Sequence, residues 1–118
     1  MAAKSRKSSA PPAAAGRLDR MLGAHLAVGP GLVKAADRAA AVGAMGLQIF
    51  TGNPTGWARR AELPKELPEF RARMKELGFG PLAVHAAYLA NLAGPRPEIR
   101  EKSIAMLQHE LRVAPAYG

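Results

Sequence analysis

The sequence predicts an α/β fold in which parallel strands alternate with helices. Three observations predict it. Short apolar runs of strand length alternate with longer stretches whose apolar residues recur at helical spacing. Gly or Pro stands at nearly every join. The connections are short, and strands that alternate with helices pair in parallel through helical crossovers.

The elements follow in order. Leu22-Gly23-Ala24-His25-Leu26 is the first apolar run, and Gly29-Pro30-Gly31 turns the chain after it. Leu32, Ala35, Ala36, Ala39 and Val42 then recur at helical spacing, with Gly43 as the expected C-terminal cap. Leu47-Gln48-Ile49-Phe50-Thr51 is the second run, and Gly52-Asn53-Pro54-Thr55-Gly56-Trp57 reads as a loop by its turn residues. The second helix has Pro68 near its first turn, an apolar stripe of Leu67, Phe70, Met74 and Leu77, and Gly78 as its cap. Pro81-Leu82-Ala83-Val84-His85 is the third run, and Ala93-Gly94-Pro95 turns the chain again. A third helix begins near Pro97, with Ile104, Leu107 and Leu111 on one stripe, and Pro115 is expected to stop it. The order is β-α-β-α-β-α.

Composition narrows the class. The chain has 118 residues, 48% of them hydrophobic, which suffices for one core. Alanine contributes 25 residues, however, while only six are aromatic, so many core positions bury little area. No run of about 18 apolar residues exists, which argues against a membrane-spanning helix. The absence of Cys excludes disulfides and thiolate metal sites. The expectation is a soluble, cytoplasmic chain without a membrane partner. Seventeen Lys and Arg against nine carboxylates give a net charge of +8, which favours a polyanionic partner. Half of that excess lies in residues 1–20, where Lys4, Arg6, Lys7, Arg17 and Arg20 face Asp19 alone. This stretch of Ala, Pro, Ser and basic residues has almost nothing to bury, so it reads as a disordered basic N-terminal extension. Residues 21–118 form the folded unit.

Two architectures fit the element order, an open doubly wound sheet and a (β/α)8 barrel. The Gly-rich phosphate fingerprint of many open sheets is missing, because Gly29-Pro30-Gly31 is not G-x-G-x-x-G. In a barrel, chemistry sits at the C-terminal ends of the strands. His25 and His85, two of the three histidines, share that address. The plainer alternative for each is a packed or capping histidine. His109, within the third helix, reads as a packing or solvated residue. Glu62, Glu66, Glu69 and Glu76 stand among Lys and Arg and read as a solvated helix face.

Three stretches carry a family resemblance: His25 in Leu22-Gly23-Ala24-His25, Phe50-Thr51-Gly52-Asn53-Pro54 running on to Trp57, and above all Val84-His85-Ala86-Ala87-Tyr88-Leu89-Ala90-Asn91-Leu92. In order and loop length they resemble the N-terminal part of endonuclease IV, the zinc-dependent apurinic/apyrimidinic endonuclease family also called deoxyribonuclease IV. The resemblance covers about residues 21–118. It implies a truncated (β/α)8 TIM barrel of the xylose-isomerase-like superfamily, in which this chain supplies the first three βα units. A barrel of about 250 residues devotes about 94 to three units, close to the 98 from Met21 to Gly118. Met21 matches where the family's chains begin, so residues 1–20 read as an extension and the chain as an N-terminal fragment.

The resemblance further implies a role in DNA repair by base excision. The activity is zinc-dependent hydrolysis of the phosphodiester 5′ to an abasic site in double-stranded DNA, performed by a monomer at full length. The family holds three Zn2+ ions, and of their ligands only His85 falls in this chain. One imidazole does not make a zinc site, so the chain alone is expected to be inactive. By the same resemblance Tyr88 and Leu89 match a wedge against the DNA at the lesion, with Asn91 in the same loop. Asn53 and Trp57 match a second DNA-facing loop, and His25 is an active-site neighbour. The plainer alternatives are a packing anchor against the second helix for Trp57 and a core tyrosine bonding its hydroxyl for Tyr88. Two rival functions remain: a sugar isomerase or epimerase of the xylose-isomerase-like barrels, and a non-enzymatic basic DNA-binding fragment.

Overall fold

A computed structural model describes residues 20–118. The basic stretch read from residues 1–20 lies, up to residue 19, outside the described residues. The element order is the expected one: β1 (Gly23–His25), α1 (Leu32–Ala41), β2 (Gly46–Ile49), α2 (Leu67–Glu76), β3 (Ala83–Val84) and α3 (Pro97–Tyr117). The strands form one parallel sheet in the order β1-β2-β3. Gly23 pairs with Gly46 and His25 with Gln48, while Gln48 pairs with Ala83 and Ile49 with Val84. The result is an open α/β arrangement of three βα units. Among the described residues no helix is long and apolar enough to cross a membrane.

Alternation of side chains along a strand gives the sheet two unlike faces. Leu47 and Ile49 point to the helical side and are fully buried there, packed in one cluster with Leu32, Ala35, Ala36, Ala39, Phe70 and Met74. Alanines line α1 where it faces this cluster, and the Phe70 ring of α2 supplies much of the volume. Val42, which was expected to extend the α1 stripe, is exposed, because the helix ends at Ala41 and Val42 is its cap. Gly43 (φ 78°) and Gly78 (φ 65°) follow as left-handed turns out of α1 and α2, as their spacing predicts.

The start of α1 has an unexpected partner. Gly31, its N-cap residue, has no side chain with which to bond the first helical N–H groups. The Glu66 carboxylate does so instead, accepting from Leu32 N at 2.8 Å and Val33 N at 3.1 Å. Glu66 is itself the N-cap residue of α2, so one carboxylate ties the starts of two neighbouring helices together. A Cβ at Gly31 would lie 3.2 Å from Glu66 Oε1, and its φ of +127° is unfavourable for an L side chain. Glu66 is therefore a cross-helix cap, not part of a solvated face. Lower on the same interface Arg73 bonds Asp37 at 2.7 Å and Glu76 at 3.0 Å. The bond to Asp37 foremost, with Glu76 adding to it, raises the guanidinium pKa above its ordinary value.

The third helix departs most from expectation. Its buried face is Ser103, Met106, Glu110 and Tyr117, whereas Ile104 is exposed and Leu111 is 75% exposed. Polar anchors account for the rotation. Ser103 Oγ accepts from Asn91 N at 2.8 Å and donates to Ile99 O at 2.7 Å, and Glu110 meets Arg59. Those bonds and the seating of Tyr117 in the core cluster fix a face that apolar periodicity alone does not reveal. Nor does Pro115 stop the helix, which runs on to Tyr117. The proline removes one hydrogen bond in the final turn, while Val113, Ala116 and Tyr117 hold that turn against the core. Burial raises the Tyr117 phenol above its usual pKa, partly offset by Arg60.

Candidate functional site

The face of the sheet opposite the helices carries the histidines at the ends of the first and third strands. His25 ends β1 in register with Gln48, and His85 follows β3, its N–H donating to Ile49 O at 2.9 Å. Phe50 lies one step past the Ile49–Val84 pair and so falls beside His85. The three rings meet at the C-terminal edge of the sheet. Phe50 lies 4.8 Å from His25 and 4.8 Å from His85 between ring centroids, and the two imidazoles are 5.5 Å apart. Tyr88 joins from the loop after β3, at 5.1 Å from Phe50 and 5.8 Å from His85. Strand order in a parallel sheet thus gathers residues 25, 50, 85 and 88 into one aromatic edge.

The His85 ring has a defined hydrogen bond. Its Nδ1 lies 2.6 Å from Ala86 O. A carbonyl oxygen can only accept, so Nδ1 carries the proton and a neutral ring leaves Nε2 with a free lone pair. That is the donor chemistry zinc takes from histidine, with the other ring nitrogen held by a supporting acceptor. The number of ligands does not match, however. Among the described residues no three His, Cys, Asp or Glu side chains converge, so these residues do not complete a zinc site.

Two loops rise from this edge. In the loop after β2, Asn53 Oδ1 accepts from Thr55 N at 3.0 Å and Thr55 Oγ1 at 2.9 Å, closing a tight turn. The loop after β3 carries Tyr88, Leu89 and Asn91. A backbone bond from Tyr88 N to Pro54 O, 2.9 Å, joins the two loops directly. Tyr88 is 66% exposed and Leu89 half-buried, so Tyr88 is not a core tyrosine. Asn91 is exposed, with its backbone N–H held by Ser103. Trp57 is half-buried, with Lys102 of α3 over its ring at 5.9 Å. His109 lies on α3, apart from the His25–His85 pair, beside a cavity of about 690 Å3 that Phe50, Asn53 and Tyr117 also line.

Sequence reasoning missed two parts of this site. Phe50 stands at its centre, and its position at the end of β2, the address shared by His25 and His85, was the available signal. The other part is Arg59. Its guanidinium donates to the carbonyls of Asn53, Gly56 and Ala58 at 2.9–3.2 Å and to Glu110 Oε1 at 3.2 Å. Both side chains of this ion pair are more than nine-tenths buried. Arg59 therefore staples the loop after β2 onto α3, a pairing across 51 residues that no local pattern announces.

Comparison with known proteins places the arrangement. A family model described as "Xylose isomerase-like TIM barrel" matches residues 36–118. A protein named "Probable endonuclease 4" from Halothermothrix orenii is 41% identical over 91 residues, which is 77% of this chain and 33% of that protein. A protein of the same name from Natranaerobius thermophilus is 43% identical over 96 residues, 81% of this chain and 34% of that one. The crystal structure of endonuclease IV from Thermus thermophilus superposes with a TM-score of 0.70 at 38% identity, covering 80% of this chain and 35% of that one. The chain spans about a third of the length of the curated relatives it matches.

Proposed function

The chain belongs to the xylose isomerase-like TIM barrel family, and we propose that its strand-end edge is the lesion-facing part of an endonuclease of the endonuclease IV type. The activity is hydrolysis of the phosphodiester 5′ to an abasic site in double-stranded DNA, in base excision repair, by a soluble cytoplasmic protein. One observation carries the reading: His25, Phe50, His85 and Tyr88 meet at the catalytic end of the strands in a chain about two-fifths identical to proteins named endonuclease 4.

Each residue has a part in it. His85 offers Nε2 as one zinc ligand, and His25 packs beside it as an active-site neighbour. Tyr88 and Leu89 press against the DNA where a base is missing, an aromatic and apolar wedge replacing the lost stack. Asn91 lies in that loop, and Asn53 and Trp57 contact the duplex from the joined loop after β2. Base identity is not read, so phosphate contacts and backbone deformability govern recognition. The net charge of +8 favours such a partner. With one zinc ligand the chain by itself nicks no abasic DNA.

The test is a chimera. Residues 23–118 replace the matching segment of the Thermus thermophilus endonuclease IV, and the folded product is assayed on abasic and intact duplexes. Zinc-dependent nicking confined to the abasic duplex is expected. A folded chimera that loads zinc and nicks neither duplex contradicts the proposal and favours the sugar-isomerase alternative.

A further inference from the structure

We infer that Arg59 is the positioning residue for the loop after β2, presenting Asn53 and Trp57 to the duplex and bracing the Tyr88 loop beside them. The inference deepens the proposed function and rests on it for the duplex contact, while the bracing of the loop stands on geometry alone. Residues 51–63 contain no helix or strand. Only two backbone bonds reach them among the described residues, Gly56 N to Asn53 O at 3.4 Å and Tyr88 N to Pro54 O at 2.9 Å. A segment with so few backbone bonds of its own takes its shape from side chains.

Arg59 is the side chain that holds it. Its Nη1 donates to Gly56 O at 2.9 Å, Ala58 O at 3.0 Å and Asn53 O at 3.2 Å, carbonyls on either side of Trp57. Its Nη2 donates to Glu110 Oε1 at 3.2 Å. The bonds continue into the second loop. The carbonyl next to that of Asn53, Pro54 O, accepts from Tyr88 N, and Asn91 N beyond Tyr88 donates to Ser103 Oγ. Ser103 and Glu110 share the buried face of α3. The bonds therefore close a ring, from α3 through Arg59 and the β2 loop to the Tyr88 loop and back to α3. Opening it at Arg59 frees the stretch from Asn53 to Trp57 and leaves the Tyr88 loop tied to a loose neighbour. Stability alone does not call for this pair. Both side chains are more than nine-tenths buried, and a buried ion pair can often be replaced by apolar residues of similar volume without loss. What Met and Leu cannot supply is a planar fork of donors aimed at three carbonyls. A positioning role and a structural one can thus be separated.

The test is the double variant Arg59→Met, Glu110→Leu in the full chain. It removes one charge of each sign and so keeps the net charge of +8. Trp57 is the only tryptophan, so acrylamide quenching of its fluorescence reads the loop without DNA. Quenching should rise toward that of the urea-unfolded chain while the thermal midpoint stays close to that of the wild type. Affinity for a fluorescein-labelled duplex with a tetrahydrofuran abasic site, read by anisotropy, should fall about tenfold, because a loop no longer pre-ordered must be ordered on binding. Unchanged quenching in the folded double variant overturns the inference. Raised quenching with an affinity that is unchanged, or absent in the wild type too, supports the brace and overturns the reading of Asn53 and Trp57 as duplex contacts. Should the double variant lose its helical circular dichroism, Arg59→Lys decides. Its ammonium keeps the charge opposite Glu110 without the fork. Raised quenching in that folded chain supports Arg59 as the brace, and unchanged quenching overturns it.

Discussion

The two faces of the sheet are built on different terms. On one side Leu47 and Ile49 of β2 meet Ala35, Ala36 and Ala39 of α1 and Phe70 of α2, in a core of small and apolar side chains. On the other, His25, Phe50 and His85 end the strands with rings, two of which carry polar atoms, and the exposed Tyr88 extends them. The first face stabilises by removing apolar area from water. The second leaves rings at an open edge, where they add little to stability and remain available for contact. Stability and the proposed function therefore lie on opposite sides of one strand, set by alternate residues, and substitutions should separate them.

The sharpest break comes from the core. Phe70 is completely buried, and Phe70→Ala should cost about 3–5 kcal/mol, read as a fall in the denaturation midpoint. Next comes the staple between the β2 loop and α3. Glu110→Ala strands the buried Arg59 guanidinium, whose Nε already lacks a partner among the described residues. A loss of about 3 kcal/mol is expected, with amide exchange accelerated first in residues 53–59. A loss no larger than at an exposed site would mean that this pair is dispensable to the loop. Glu66→Ala removes the cap shared by α1 and α2 and should cost about 1 kcal/mol, with faster exchange at Leu32 and Val33.

Tyr117 gives a pH signature of the helical side. Its folded-state pKa lies above the unfolded value of about 10 because burial disfavours the phenolate. A raised folded pKa contributes stability that is fully present below the unfolded value and is lost as pH rises through the folded one. Denaturation midpoints should therefore decline above about pH 10. Tyr117→Phe should flatten that decline, and an unchanged slope would place the phenol in water.

The same contrast explains what could be read from the sequence. The core of α1 and α2 repeats at helical spacing, so Leu32, Ala35, Ala36, Ala39, Leu67, Phe70 and Met74 were legible, as were the glycine exits at 43 and 78. His25 and His85 were legible as strand ends because apolar runs of strand length precede them. What escaped was set by partners far along the chain. The face of α3 follows from Ser103 bonding Asn91 and Glu110 bonding Arg59, which override the exposed Ile104–Leu111 stripe. Glu66 reads locally as one more surface carboxylate, and only the juxtaposition of two helix starts makes it a cap. Phe50 looks like core by composition and becomes the centre of the edge through register alone.

One measurement tests the division most directly. In the chimera carrying residues 23–118, His85→Ala is compared with the parent for both melting temperature and zinc-dependent nicking of an abasic duplex. The account predicts stability within about 1 kcal/mol of the parent, the usual range outside a core. It predicts a loss of nicking beyond the roughly 100-fold that removal of a supporting partner costs. A chimera that keeps its nicking rate without the His85 imidazole would contradict the assignment of this edge to the chemistry.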